Sequence, residues 1–459
     1  MLVRIRPFLD VGKISRALER ATELDDRPIK EFETAFARRL GAPGAAAVDR
    51  GRSALLLALK TLGIKGGDEV IVQSYIFHVV VDAILELGAR PVLADSRLDD
   101  FNVDPRAIER GITPRTRAII VTHLGVPCDM GEISAIARKH DCYLIENCAH
   151  TLDAQCDGKK AGGFGDVSFY SFDIDKPIST GDGGMLLINN VDLLEKARGI
   201  LDGYGRVPFE KEKQTVYGLL LQHFVTGDGV YPEDGFLPVD FGKKAVKKDR
   251  RLLSLVEKAA CQGGTDGFRE RILPYLQRNR LLCEKKSRTG DIISRAASRA
   301  GVALGRMNIP KIDSPLLLMN SLRSAVGIEC LKDFDNCKAL RDQNTQYYID
   351  HLDTAAFGHP RIDKGKKTAF IRYAVLNNTG CENSRITAAA RKRGFEIGIF
   401  NWSAPVHLCY PYNRLLDFER SKLHNSEHLG RRLLSLPVHP YVGEEALERI
   451  CRFLNGFTS

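Results

Sequence analysis

The stretch Gly162-Gly163-Phe164-Gly165-Asp166-Val167-Ser168-Phe169-Tyr170-Ser171-Phe172-Asp173-Ile174-Asp175-Lys176-Pro177-Ile178-Ser179-Thr180-Gly181-Asp182-Gly183-Gly184-Met185 decides how this chain folds. Two short apolar runs, Val167 to Phe172 and Met185 to Ile188, read as closely spaced strands joined through Gly-rich turns. Lys176 falls just past the first of them, between polar and Gly-rich residues. A strand end of this kind can present one amine to a cleft while neighbouring hydroxyls meet an anion. A lysine desolvated there has a lowered pKa and can act as a Schiff-base nucleophile. Taken alone, Lys176 also reads as an ordinary surface lysine.

Upstream, from Arg50 to Asn190, short apolar runs alternate with amphipathic segments. Helices are expected over Ser53–Leu62, Val80–Leu87 and Met130–His140. Strands are expected over Glu69–Val72, Pro91–Asp95, Ala118–Val121 and Cys142–Ile145. Such alternation implies an α/β fold, a mainly parallel sheet covered on both faces, with ligands at the carboxyl ends of its strands. Arg50-Gly51-Arg52-Ser53-Ala54-Leu55 is a Gly-containing turn opening a helix, and the free N–H groups of a first helical turn suit a phosphate.

Downstream the character changes. Residues 207–310 read as a helical insertion with an apolar run, Leu219 to Leu221, and a basic run, Lys243 to Arg251, expected to be a solvated face. Ser324–His351 reads as one long helix with Val326, Cys330, Leu331 and Phe334 at helical spacing, and a smaller α+β unit is expected from Leu352. The expected organisation is therefore 1–206 for an N-terminal segment and large domain, 207–310 for the insertion, 311–351 for the connecting helix region and 352–459 for the small domain.

The 459 residues suggest more than one domain, and 44% hydrophobic with 27% charged residues is a globular balance. The 67 basic and 58 acidic residues leave a net +9, a mild excess that suits anionic small molecules. Nucleic-acid-binding patterns are absent, so no nucleic-acid partner is expected. No run approaches the ~18 apolar residues of a membrane span. Eleven irregularly spaced Cys without a CxxC pair argue against disulfides and a structural metal, and favour a reducing cytoplasm.

With the lysine segment and the Arg50 turn together, the chain resembles the DegT/DnrJ/StrS-type sugar aminotransferases, fold-type I enzymes that use pyridoxal 5′-phosphate. The resemblance extends through Gly88-Ala89-Arg90-Pro91-Val92, Gly125-Val126-Pro127-Cys128-Asp129-Met130, Ile145-Glu146-Asn147-Cys148-Ala149-His150, Pro405-Val406-His407-Leu408 and Leu434 to Pro440. It implies a large domain with a mainly parallel seven-stranded sheet, a smaller C-terminal α+β domain and a homodimer. It also implies that Lys176 bonds the cofactor aldehyde, while Gly51, Arg52, Ser53 and Ser171 hold the cofactor phosphate. His150 would approach the phenolic oxygen and Phe77 would stack on the pyridine ring. The implied activity moves an amino group from L-glutamate to a nucleotide-linked keto-deoxysugar, in cell-surface polysaccharide or glycoside biosynthesis.

Four departures bear on that expectation. Asn147 stands where the family has an Asp that keeps the pyridine nitrogen protonated, so the ring should be a weaker electron sink. This opens the alternative of a cofactor-binding protein with altered or lost catalysis. Leu316 holds the place of an Asn that reaches the partner subunit, with Asn320 as a substitute, and His123 lies in a shortened loop. Asp182 replaces a Glu. A sugar dehydratase on the same scaffold would carry His in place of Lys176, which argues against that alternative.

Overall fold

The computed structural model describes residues 3–227, 240–261, 265–279, 281–282, 316–399, 402 and 404–457. The end of the expected insertion (283–310) and the start of the connecting region (311–315) lie outside the described residues.

Nine strands precede the insertion: β1 (Gly44–Val48), β2 (Glu69–Gln73), β3 (Arg90–Ala94), β4 (Thr116–Thr122), β5 (Tyr143–Asn147), β6 (Gln155–Cys156), β7 (Lys159–Lys160), β8 (Val167–Ser171) and β9 (Gly184–Ile188). Seven of them form one sheet in the order β1-β9-β8-β5-β4-β2-β3. The run β8-β5-β4-β2-β3 is parallel, and β9 opposes both its neighbours. The middle of β4, Ala118 to Val121, is wholly buried, as expected for a strand covered on both faces by helices. Parallel direction places Asn147 and Ser171, the last residues of neighbouring β5 and β8, at one end of the sheet. Topology thus brings the two motifs together.

The insertion is helical where it is described, with helices Phe209–Val225, Phe241–Lys248, Arg250–Cys261 and Thr265–Arg278. Leu219, Leu220 and Leu221 are buried in the core it shares with the sheet. The buried ion pair of Glu212 with Arg323 (2.9 Å) ties its first helix to the body. The basic run is a solvated face at Lys244, Lys247, Lys248, Arg250 and Arg251. Lys243 differs, reaching Asp173 Oδ1 at 3.1 Å.

The single helix expected over Ser324–His351 is two, Ser321–Lys332 and Phe334–His351, broken at Asp333. The first is buried on nearly every side against helices Val11–Arg20 and Arg27–Leu40, and the second leaves that layer for the C-terminal unit. Asp333 is held at the bend by Lys13 at 2.9 Å, and Phe334 is buried just beyond it. Apolar spacing continues across the break, so periodicity alone could not show it.

The C-terminal unit is α+β as expected, an antiparallel four-stranded sheet ordered Phe357–Gly358, Tyr373–Asn377, Leu433–Leu436, Gly398–Ile399. It is tied to the large domain where Lys366–Lys367 pairs with β6 and where Ala369 N–H donates to the Gly125 carbonyl (2.9 Å). The N-terminal segment also lies on this unit. His439 Nε2 donates to the Val3 carbonyl at 2.8 Å, and the Arg4 N–H donates to Glu396 Oε2 at 3.1 Å.

Candidate active site

A cavity of about 430 Å³ opens at the carboxyl ends of β5 and β8. One wall is the start of helix Gly51–Thr61, entered from Arg50 in an extended conformation. A Cβ on Gly51 would stand 2.9 Å from Ser171 Cβ, so glycine lets the first helical turn press against the end of β8. The first-turn N–H groups and the positive end of the helix dipole therefore converge beside a serine hydroxyl, an arrangement that suits an anion. Gly51, Arg52 and Ser171 line the cavity. Ser53 does not, because its hydroxyl turns away and donates to Asp49 Oδ1 at 2.5 Å. Only its backbone remains part of the helix start.

Lys176 sits on the loop after β8, where its N–H donates to the Asp173 carbonyl at 3.0 Å. Its side chain is only 8% exposed, with Nζ 3.5 Å from Asp175 Oδ1. Burial lowers its pKa below the usual lysine value, Asp175 opposes that shift, and Arg372 reinforces it. Asp175 in turn takes Arg372 Nη2 at 2.8 Å. Burial would raise the Asp175 carboxyl, but the charges of Lys176 and Arg372 outweigh it and hold the group ionised. Burial pushes Arg372 down to about 10. The amine is thus desolvated yet kept beside a counter-charge, the setting of a nucleophilic lysine.

Asn147 ends β5 on the cavity floor. Its Oδ1 accepts the Ala149 N–H (3.0 Å), and its Nδ2 donates to Thr122 Oγ1 (3.1 Å). The backbone donor fixes the amide with oxygen toward Ala149, so only N–H remains to offer elsewhere. His150 is buried and held well below its usual pKa by burial and then by Lys176 and Arg372. It meets the edge of Trp402 at 5.2 Å. Phe77 is 41% exposed on the cavity wall and lies near-parallel to Trp402, with ring centroids 6.3 Å apart. It is not a core residue.

The structure therefore brings together Lys176, Gly51, Arg52, Ser171, Asn147, His150 and Phe77. His123 is not at the cavity. It is buried with Nε2 on Glu146 and Nδ1 accepting the Cys128 N–H. Leu316 packs in the core, and Asn320 is spent inside its own chain, bonding the Val207 carbonyl and the Ser321 N–H. Arg4, Asp175, Arg372 and Trp402 also line the cavity and were not singled out from sequence. Asp175 adjoins Lys176 and was within reach of motif reading. The other three sit in stretches with no motif.

The profile of the DegT/DnrJ/EryC1/StrS aminotransferase family matches residues 12–221 and 317–455, and the chain belongs to that family. Residues 222–316 lie outside the matched stretches. GDP-perosamine synthase from Caulobacter vibrioides is 44% identical over 183 residues, 40% of this chain and 49% of that protein. UDP-N-acetyl-3-dehydro-alpha-D-glucosamine 3-aminotransferase from Acidithiobacillus ferrooxidans is 39% identical over 194 residues, 41% of this chain and 51% of that protein. The chain spans about half the length of the curated relatives it matches. The crystal structure of S. venezuelae DesV superposes with a TM-score of 0.69 at 22% identity, covering 99% of this chain and 98% of that one. That likeness supports the fold, a fold-type I aminotransferase architecture with a mainly parallel seven-stranded sheet.

Proposed function

We propose that the chain is a pyridoxal-phosphate-dependent aminotransferase that takes an amino group from L-glutamate and delivers it to a nucleotide-linked keto-deoxysugar, for surface polysaccharide or glycoside synthesis. The observation that carries this reading is the buried amine of Lys176 in one cavity with the Gly51 helix start and the amide of Asn147. The residues fit the cofactor. Gly51 and Ser171 leave a close-walled cradle at a helix N-terminus for its phosphate, and Lys176 supplies the amine for its aldehyde.

Bound pyridoxal phosphate supplies an electron sink for bonds at the carbon bearing the amino group. Within this chain, Lys176 holds and returns the proton exchanged during transfer, and the burial that lowers its pKa eases that exchange. Asp175 and Arg372 keep that amine in place, while Phe77 and Trp402 give the cavity an aromatic wall. Asn147 can only donate toward a ring nitrogen, which favours the unprotonated form and a slower proton transfer than a carboxylate would give. That observation favours a second reading, a cofactor-binding protein of altered or lost catalysis. Lys176 opposes a dehydratase.

A homodimer is part of the proposal, with partner contacts different from those of relatives because Leu316 and Asn320 face inward. A cytoplasmic setting is supported by cysteines that are free among the described residues and by the absence among them of a helix able to cross a membrane. The test is incubation of loaded enzyme with L-glutamate and keto-deoxysugar nucleotides, with mass spectrometry of the products. An aminosugar nucleotide with matching 2-oxoglutarate is expected. A loaded enzyme that releases no 2-oxoglutarate would leave the binding-only reading.

A further inference from the structure

Four arginines line the cavity: Arg50 and Arg52 belong to the helix start, and of the other two, Arg4 and Arg372, only one is spoken for. Arg372 is bonded to Asp175, whereas Arg4 has Nε and Nη1 buried with no hydrogen-bond partner. Burial accordingly pushes the Arg4 guanidinium below its usual pKa. Buried cations normally carry a partner, because desolvation without one is costly. The local structure nevertheless holds this one in place. The Val3 carbonyl is bonded by His439 and the Arg4 N–H by Glu396, which fixes the backbone on both sides of the residue. The side chain lies flat on Gly398, where a Cβ would stand 2.5 Å from Cζ, Nε and Nη1. Gly398 lacks a positive φ, so it is space, not backbone conformation, that asks for glycine there.

We propose that Arg4 is the anchor for a carboxylate of the amino donor. The inference rests on the transaminase reading and deepens it. The helix start at Gly51 already serves a phosphate, and Arg4 stands instead in the electrostatic reach of Asp175, on the Lys176 side of the cavity. A small dicarboxylic acid brings its anionic group into such a buried position with little else to desolvate, and guanidinium–carboxylate pairs are among the stronger charge-assisted hydrogen bonds. A bulky nucleoside diphosphate is the competing oxyanion, and the test separates the two.

The test titrates pyridoxal-phosphate-loaded enzyme with glutarate, an unreactive dicarboxylate, and separately with GDP and UDP, by calorimetry. Arg4→Gln is expected to weaken glutarate by about 10- to 100-fold, the scale of one lost charge-assisted bond, and to leave the nucleotides unchanged. It should raise KM for L-glutamate without altering the second half-reaction with the sugar. Gly398→Ala, which crowds the guanidinium, should reproduce part of the loss and serves as the test if Arg4→Gln does not fold. Unchanged glutarate binding in both variants overturns the proposal, as does a loss confined to the nucleotides. If wild-type enzyme forms 2-oxoglutarate while the variants are unaffected, only the role of Arg4 falls. If wild-type neither binds glutarate nor consumes L-glutamate, the transaminase reading falls with it.

Discussion

The two walls of the cavity are built in opposite ways. The helix-start wall is local: Arg50 to Arg52 and the stretch from Phe169 to Asp182 form it from a helix start and a strand end of one sheet. The arginine wall is assembled from afar. Arg4 comes from the N-terminal segment, Arg372 from just before a C-terminal strand, and Trp402 from a loop of the same small unit. The first wall is held by backbone geometry, the second by side-chain charges and a few bonds to carbonyls. A wall held by backbone bonds tolerates the loss of one side chain better than an ion pair does, and this difference can be tested.

The largest effect is expected where the walls meet. Lys176→Ala should lower turnover by about 10³- to 10⁴-fold, the range for removing a general base that is also the nucleophile, and borohydride should then fix no cofactor to the chain. Retained multiple turnover would remove Lys176 from the chemistry. Next comes the ion pair. Asp175→Asn leaves Arg372 buried without its carboxylate, so urea unfolding should show a loss of about 3–5 kcal/mol at unchanged m. A loss under about 1 kcal/mol would mean that the arginine wall does not depend on this pair.

The walls should also differ toward acid. Burial pushes His439 down to about 3, and the unfolded chain takes its proton near 6.5, so stability present above 6.5 is lost as pH falls toward 3. His439→Gln should flatten that slope in unfolding experiments from pH 7 to 4, and an unchanged slope would assign acid lability to other buried histidines. The smallest effect is at the cavity floor. Asn147→Asp should speed the half-reaction with L-glutamate about tenfold, the equivalent of one pKa unit of added ion pairing. Stopped-flow absorbance checks this, and no gain would mean that the amide does not face the ring nitrogen.

The same contrast explains what could be read from the sequence. Lys176, Gly51, Ser171, Asn147 and His150 lie in contiguous motifs whose strand and helix periodicity is strong, and the sheet gathers them at one end of its strands. Ser53 shows the limit of that reading: its place in the motif was visible, but not the turn of its hydroxyl toward Asp49. Arg4 and Arg372 carry no local pattern, because what makes them site residues is a tertiary path across more than 170 positions. Asp333 was hidden differently. The apolar spacing of Cys330 and Phe334 runs straight through the break, and only the presence of two layers to cover requires it.

The bond from His439 to the Val3 carbonyl has a consequence for the order in which the molecule is made. The segment bearing Arg4 leaves the ribosome hundreds of residues before Gly398 and His439, the groups that seat it. The wall at Gly51 and Ser171 can be finished on a nascent chain, while the Arg4 wall stays open until His439 has been made.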